Sequence, residues 1–224
     1  SLGAYFLSRK RVMFQKPIMI AIMFTMFFSG GMIPFYLNLK DLHLTNTLWG
    51  LIIPFMINTY NKKYPEHFII DSSREKICRA AALHDVGKIS ISDTILNKKG
   101  RLTDEEMEIM KTHTTKGYEI IRGFKLNDDE EQERYSLDIA KYHHERWDGK
   151  GYPEGLQGDE IPLWSQIVGI VDVYDALVSP RVYKKAFSHE KAMEMILAGE
   201  CGTFNPILLE CLKDAEELLK NEYK

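Results

Sequence analysis

The stretch ALHDVGKISISDTILNKKGRLTDEEMEIMKTH (82–113), followed by YHHERWDGKGYP (142–153) and DVYDAL (172–177), decides how this chain is read. Its apolar residues recur at helical rather than alternating spacing, and turn residues cut it into short segments. Working outward from it, Ser72 to Leu83, Thr103 to Arg122, Tyr135 to Arg146, Leu163 to Val178, Ser188 to Ala198 and Pro206 to Asn221 are predicted as helices, several with a capping residue near the start. No period-2 stretch interrupts them, so residues 62–224 are expected to form an all-α domain. Gly149, Gly151, Pro153, Gly155, Gly158 and Pro162 mark one long loop in its middle.

The chemistry lies in the histidines. His84, His113, His143 and His144 occur at regular intervals beside the acids Asp85 and Asp172, with steps of 28 residues from Asp85 to His113, 30 to His143 and 28 from His144 to Asp172. Each step is about one helix-loop-helix unit, and helix bundles build metal sites by sending one inward ligand from each helix. A lone histidine is more often a core or surface residue, but four at this spacing, two of them adjacent, point to a metal centre. Neighbours on a helix diverge by about 100°, so His143 and His144 suit either a wide binuclear centre or a helix bend. Imidazole and carboxylate ligands together suit two divalent transition metals, Fe, Mn, Zn or Ni, and not an all-oxygen calcium site. A metal pair bridged by Asp85 would supply a nucleophile at neutral pH and clamp a phosphate oxygen, which is chemistry for phosphoester hydrolysis. A Ser or Cys nucleophile has little support, because Cys201 and Cys211 have no nearby His and no GxSxG turn occurs.

Composition sets the outer limits. Among 224 residues, 45% are apolar and 27% charged, as expected of a globular chain with one medium domain and an appendage. Residues 1–60 carry Arg9, Lys10, Arg11, Lys16 and Lys40 against Asp41 alone, so the rest of the chain bears −7 of a net charge of −3. That acidic balance argues against DNA as a partner, since duplex-binding surfaces are basic. Cys78, Cys201 and Cys211 show no CxxC spacing and read as reduced thiols. The chain starts at Ser1 with no initiator Met, which fits a fragment, a processed chain or a trimmed one.

Residues 1–61 differ in texture. Pro17 to Leu37 is 21 residues without a charge, preceded by the basic cluster, and could span a bilayer or attach the domain to the inner face of the membrane. Ser29, Gly30, Gly31 and Pro34 weaken that helix. A second apolar stretch, Leu48 to Ile57, carries Gly50 and Pro54 and is too short to cross alone, so it reads as a re-entrant segment, an interfacial one or a remnant. LSRKR (7–11), FTMFFSGGMIPFYL (24–37) and LTNTLWGLIIP (44–54) resemble the middle of a binding-protein-dependent sugar-transporter permease. The expected organisation is therefore a permease-like segment, 1–61, and a hydrolase domain, 62–224.

The motifs of that second part name a family. HDVGK (84–88), HHERWDGKGYP (143–153) and DVYDAL (172–177), in this order and spacing, resemble the HD-GYP phosphodiesterases. The resemblance implies a helical bundle of the HD superfamily, a cyclic dinucleotide such as cyclic di-GMP as substrate, and a cytoplasmic catalytic domain; it allows a homodimer. By resemblance, His84 and Asp85 are the signature pair, with Asp85 bridging two metals. His113, His143 and His144 would complete one shell, and Asp172 would belong to the other. Lys88, one turn from His84, could reach a phosphate oxygen, and Gly151, Tyr152 and Pro153 would form a substrate loop in which Tyr152 stacks on a guanine or offers its hydroxyl to a phosphate. Arg181 and Lys184 in SPRVYK resemble the family's phosphate-binding basic residues.

One part of the pattern is missing. The family's upstream histidine ligand, some thirty residues before the HD pair, would fall at about Ile52 to Pro54, where no histidine stands. The sequence therefore predicts that the first helix of the domain has been replaced by permease-like chain, joined between Ile57 and Lys62, which would fit the domain poorly and leave one metal site short of an imidazole.

Overall fold

The computed structural model describes residues 48–67, 69–124, 129–179 and 186–222. Their elements are α1 (Leu48–Lys63), α2 (Asp71–Ala81), α3 (Asp93–Leu96), α4 (Asp104–Lys111), α5 (His113–Phe124), α6 (Glu130–Tyr142), α7 (Leu163–Val178), α8 (His189–Leu197) and α9 (Pro206–Glu222), with 3-10 turns at Pro65–His67, Val86–Ser90 and Gly158–Glu160. No strand occurs among the described residues, and the only pairing of extended chain there is an isolated bridge between Asp148 and Gln157. The domain is an all-helical bundle, as its periodicity requires.

Helix α6 is the hub, packing against α2, α5 and α7. Its start comes earlier than its apolar pattern suggests, because the Asp129 carboxylate accepts the amides of Glu131 and Gln132 at 3.2 and 3.1 Å. The acids Glu130, Glu131 and Glu133 in its first turn also complement the helix dipole. Helix α7 is apolar over most of its surface, and Ile167, Val168, Ile170, Val171 and Tyr174 are fully buried. The single helix expected over 103–122 is instead two. The hydroxyls of Thr112, Thr114 and Thr115 bond the carbonyls of Ile109, Lys111 and Thr112, and such local competition bends the chain at the α4–α5 junction.

The compact unit begins at Leu51, eleven residues upstream of the expected boundary. The chain before Ile57 does not fit poorly: Ile52, Ile53, Met56 and Ile57 are fully buried, with Tyr60 nearly so. These positions recur as one helical stripe, while Asn58 and Lys62 face water. Helix α1 runs through Pro54. An interior proline costs about 3 kcal/mol, less than the roughly 1.5–3 kcal/mol gained by burying each of four large side chains. Its end is tied down by Asn61, which exchanges two hydrogen bonds with the backbone of Ile69 at 2.7 and 2.8 Å, and by Lys63, paired with Asp214 and Glu210 of α9. Ile53→Ala should therefore cost about 2–5 kcal/mol, lowering the thermal midpoint by about 10 °C. An unchanged midpoint would show that α1 is dispensable to the core.

Among the described residues no helix is long and apolar enough to cross a membrane. Pro17 to Leu37 and most of the permease-like stretch lie outside the described residues.

Candidate metal centre

Three segments deliver the candidate ligands. Beyond the end of α2 the chain turns through Leu83, and His84 and Asp85 lead into the 3-10 turn Val86–Ser90. His113 opens α5, and His143 caps the end of α6 with His144 just past it. The adjacent pair thus sits where a helix ends, so both rings can turn to the same side; their centroids are 4.1 Å apart. Gly87 brings the first two segments together. A β-carbon there would lie 1.8 Å from the carbonyl oxygen of His113 and 2.5 Å from the amide nitrogen of Gly117. Only glycine lets the 3-10 turn rest on the first turns of α5.

One ligand atom from each of Asp85, His113, His143 and His144 lies within 4.8 Å of the others. Asp85 Oδ1 is 3.4 Å from His113 Nε2 and 3.9 Å from His143 Nε2. His84 and Asp172 stand at the other side of Asp85: His84 Nε2 is 3.2 Å from Asp85 Oδ2 and 3.8 Å from Asp172 Oδ1. Lys88 also reaches the Asp85 carboxylate.

Whether a metal fits can be judged from the ring nitrogens. The Nδ1 atoms of His84, His113 and His143 are 2.7, 2.7 and 2.8 Å from the carbonyls of Ala81, Met110 and Ile139. A carbonyl only accepts, so each Nδ1 carries a proton, and in a neutral ring Nε2 is then a bare lone pair. Asp85 Oδ1, His113 Nε2 and His143 Nε2 are buried with no hydrogen-bond partner. Buried polar atoms are nearly always paired, and three orphans converging from different elements form the nitrogen and oxygen donor set a transition metal takes.

The electrostatics agree. Burial, with neighbouring charges adding to it, pushes the His143 imidazole well below its ordinary value, His144 down to about 2, and lowers His113. Burial also opposes charging at His84, but Asp85 and Asp172 outweigh it and raise that ring. Asp85 is likewise opposed by burial, yet His84 and Lys88 hold it far below the usual carboxylate range. The three lowered rings are kept neutral in the fold and charge near ~6.5 when unfolded. Their contribution to stability is complete above that pH and is lost as pH falls below it, for His144 down to about 2. His84 acts oppositely, its contribution being present below ~6.5 and lost as pH rises through its raised value. With three rings against one, the thermal midpoint of chelator-treated protein should fall between pH 7 and pH 5. A flat or rising midpoint would mean that His84 dominates.

The loop carrying Gly151, Tyr152 and Pro153 closes over the cluster. The Tyr152 ring lies 4.8 Å from that of His144 with planes tilted 31°, and burial raises its hydroxyl pKa, so it is a neutral donor. One face of that ring is thus taken by His144. Arg181 and Lys184 lie outside the described residues. Two residues next to the ligands escaped the sequence reading: Glu145, 5% exposed, and Arg146, whose guanidinium donates to the Glu145 carbonyl at 2.9 Å. A charged pair lying past a helix end, directly after the two candidate ligands His143 and His144, was the available signal. Burial pushes the Cys78 thiol up to about 12 and that of Cys211 up to about 11, so neither is poised as a nucleophile.

Residues 66–204, more than half of the chain, match the HD domain family. The chain belongs to the HD domain family. The match starts after α1 and gives no support to the permease likeness of the preceding residues. Curated relatives of this HD domain include a cyclic di-GMP phosphodiesterase of Vibrio cholerae, 44% identical over 144 residues, which cover 64% of this chain and 29% of the relative. A 3'3'-cGAMP-specific phosphodiesterase of the same organism is 41% identical over 144 residues, covering 64% of this chain and 27% of its own. The chain thus spans less than a third of the length of either relative. Among solved structures, an HDG"Y"P protein from Bdellovibrio bacteriovorus superposes with a TM-score of 0.55 at 18% identity, over 82% of this chain and 57% of the other, a likeness of fold.

Proposed function

We propose that this HD domain, of the HD-GYP kind, is a metal-dependent phosphodiesterase that opens cyclic di-GMP or a related cyclic dinucleotide. The observation that carries the reading is the set of buried, unpartnered atoms Asp85 Oδ1, His113 Nε2 and His143 Nε2 converging beneath Tyr152. The relatives' names supply the substrate class. Asp85, His113, His143 and His144 would hold one ion, and His84, Asp85 and Asp172 a second; when bound, such ions supply a nucleophile at neutral pH and neutralise phosphate charge. The chain's own residues do the rest. Backbone carbonyls orient the imidazoles, Lys88 presents an ammonium beside Asp85, the Tyr152 hydroxyl donates to a substrate oxygen, and Arg181 and Lys184 take the phosphates. A second messenger of this kind would place the domain on the cytoplasmic side.

The second site is the weaker of the two. Ile52 and Ile53, where an upstream ligand would be expected, offer no ligand atom, and His67 sits exposed on a 3-10 turn. We therefore expect fewer than two tightly held transition-metal ions per chain, and turnover limited accordingly. Elemental analysis of the purified protein, together with chromatography of cyclic di-GMP and 3'3'-cGAMP incubated with it, tests both statements. Metal-loaded protein that leaves both dinucleotides intact would overturn the proposed activity, and two tightly held ions per chain would overturn the incomplete site.

A further inference from the structure

Glu145 follows the two histidines at the end of α6, and its carboxylate is buried without any cation at ion-pair distance among the described residues. What it has instead is backbone. Oε1 accepts the amides of Glu154 at 2.8 Å and Gly155 at 3.1 Å, and Oε2 accepts that of Leu156 at 3.0 Å. A buried carboxylate is costly unless its lone pairs are satisfied, and three amides converging on one side chain meet that need. The loop is pressed against the same residue at its other end. A β-carbon on Gly151 would lie 2.4 Å from the Glu145 Cα and 2.6 Å from its carbonyl carbon, both unyielding backbone. Between these two anchors the chain carries Tyr152, whose amide donates to the His144 carbonyl at 3.3 Å and whose ring lies against His144. Residues 151–156 are thus curled around a single side chain, and they carry the ring that overlooks the cluster.

We propose that Glu145 is a positioning residue: by holding residues 151–156 it fixes Tyr152 over the metal-ligand cluster, where the phosphate of a cyclic dinucleotide would bind. The substrate part of this proposal rests on the function proposed above; the loop part does not. A residue that merely closed a turn would need no charge and no third amide. The amide of Glu145→Gln offers one acceptor oxygen and turns an NH2 group toward at least one of the loop's N–H groups, so the loop opens.

The test uses the full chain and two independent readings. Lys150, its side chain 84% exposed, precedes the anchored segment, so trypsin cleavage after it reports loop opening. Glu145→Gln should be cut there on the order of tenfold faster, the factor expected when a buried charged acceptor is lost. Its kcat/KM for the dinucleotide should fall by a similar factor, while metal content stays near the parent's. In a Tyr152→Ala background the substitution should cost nothing further on the dinucleotide. Glu145→Asp keeps the charge but is a methylene short, and should fall between parent and Gln in both readings; it carries the test if the Gln variant does not fold. Parent-like cleavage in the charged and neutral variants alike overturns the positioning role even if the parent proves inactive on dinucleotides. Faster cleavage with unchanged kcat/KM overturns the role toward substrate.

Discussion

Gly87→Ala should strip the domain of its metal while Gly123→Ala, in the same neighbourhood of sequence space, should be harmless. The added methyl at 87 would stand 1.8 Å from the His113 carbonyl oxygen and 2.5 Å from the Gly117 amide nitrogen, whereas at 123 nothing lies within 4 Å. Ordinary carbon–oxygen contact needs well over 3 Å, and the obstructing atoms belong to the first turns of α5, which cannot swing aside as a side chain could. The 3-10 turn would have to lift off α5 by more than an ångström. Asp85, immediately before that turn, would then lose its 3.4 Å approach to His113. Overpacking alone costs about 1–3 kcal/mol, and separation of two first ligands should weaken metal binding by more than the ~10–100-fold typical of outer-shell changes. At Gly123, in helical backbone, the same substitution should be neutral or stabilise by roughly 0.5–1 kcal/mol. Thermal midpoints and metal content after dialysis of the two variants decide the matter. Equal metal retention by both would show that the 3-10 turn does not set the site.

Why the fold was readable and parts of it were not follows from what each element depends on. Helix α7 matches its expected span, Leu163–Val178, because an apolar run with Pro162 before it and Ser179-Pro180 after it leaves little choice. The break at Thr112 depends on which carbonyls the threonine hydroxyls reach, and periodicity does not carry that information. In the apolar stretch Leu48 to Ile57, local propensity at Gly50 and Pro54 argues against a continuous helix, and tertiary burial of Ile52, Ile53, Met56 and Ile57 overrides it in α1. At the site, the spacing of His84, Asp85, His113, His143, His144 and Asp172, together with the motifs that hold them, singles these six out, because few other side chains can hold a metal. The structure brings four of them into one cluster and places His84 and Asp172 beside it, across Asp85. Glu145 stayed hidden because its role comes from backbone amides nine to eleven residues further on, which no residue pattern announces.

Asp85→Ala should abolish both metal binding and phosphodiester hydrolysis. Its carboxylate is the one group that faces both halves of the site, with Oδ1 toward His113 and His143 and Oδ2 toward His84 and Lys88. Removing it leaves only neutral imidazoles in the four-ligand cluster, so a divalent ion there would be held by nitrogen alone with its charge uncompensated in a buried site. It also leaves the Lys88 ammonium without its partner at the place where a phosphate would arrive, so ground-state binding of an anion need not weaken. The loss should therefore fall on kcat rather than on KM, and exceed the ~2.7–4 kcal/mol that follows removal of a single oxyanion donor. Asp85→Asn separates charge from shape. It keeps an oxygen at the Oδ1 position but no negative charge, and should be nearly as inactive as the alanine variant if neutralising the ion is what matters. Elemental analysis and single-turnover kinetics on the parent and both variants provide the measurement. A metal-loaded Asp85→Ala protein with parent-like turnover would remove Asp85 from the centre of the site, and an active Asp85→Asn would show that the oxygen atom, and not its charge, is what the site requires.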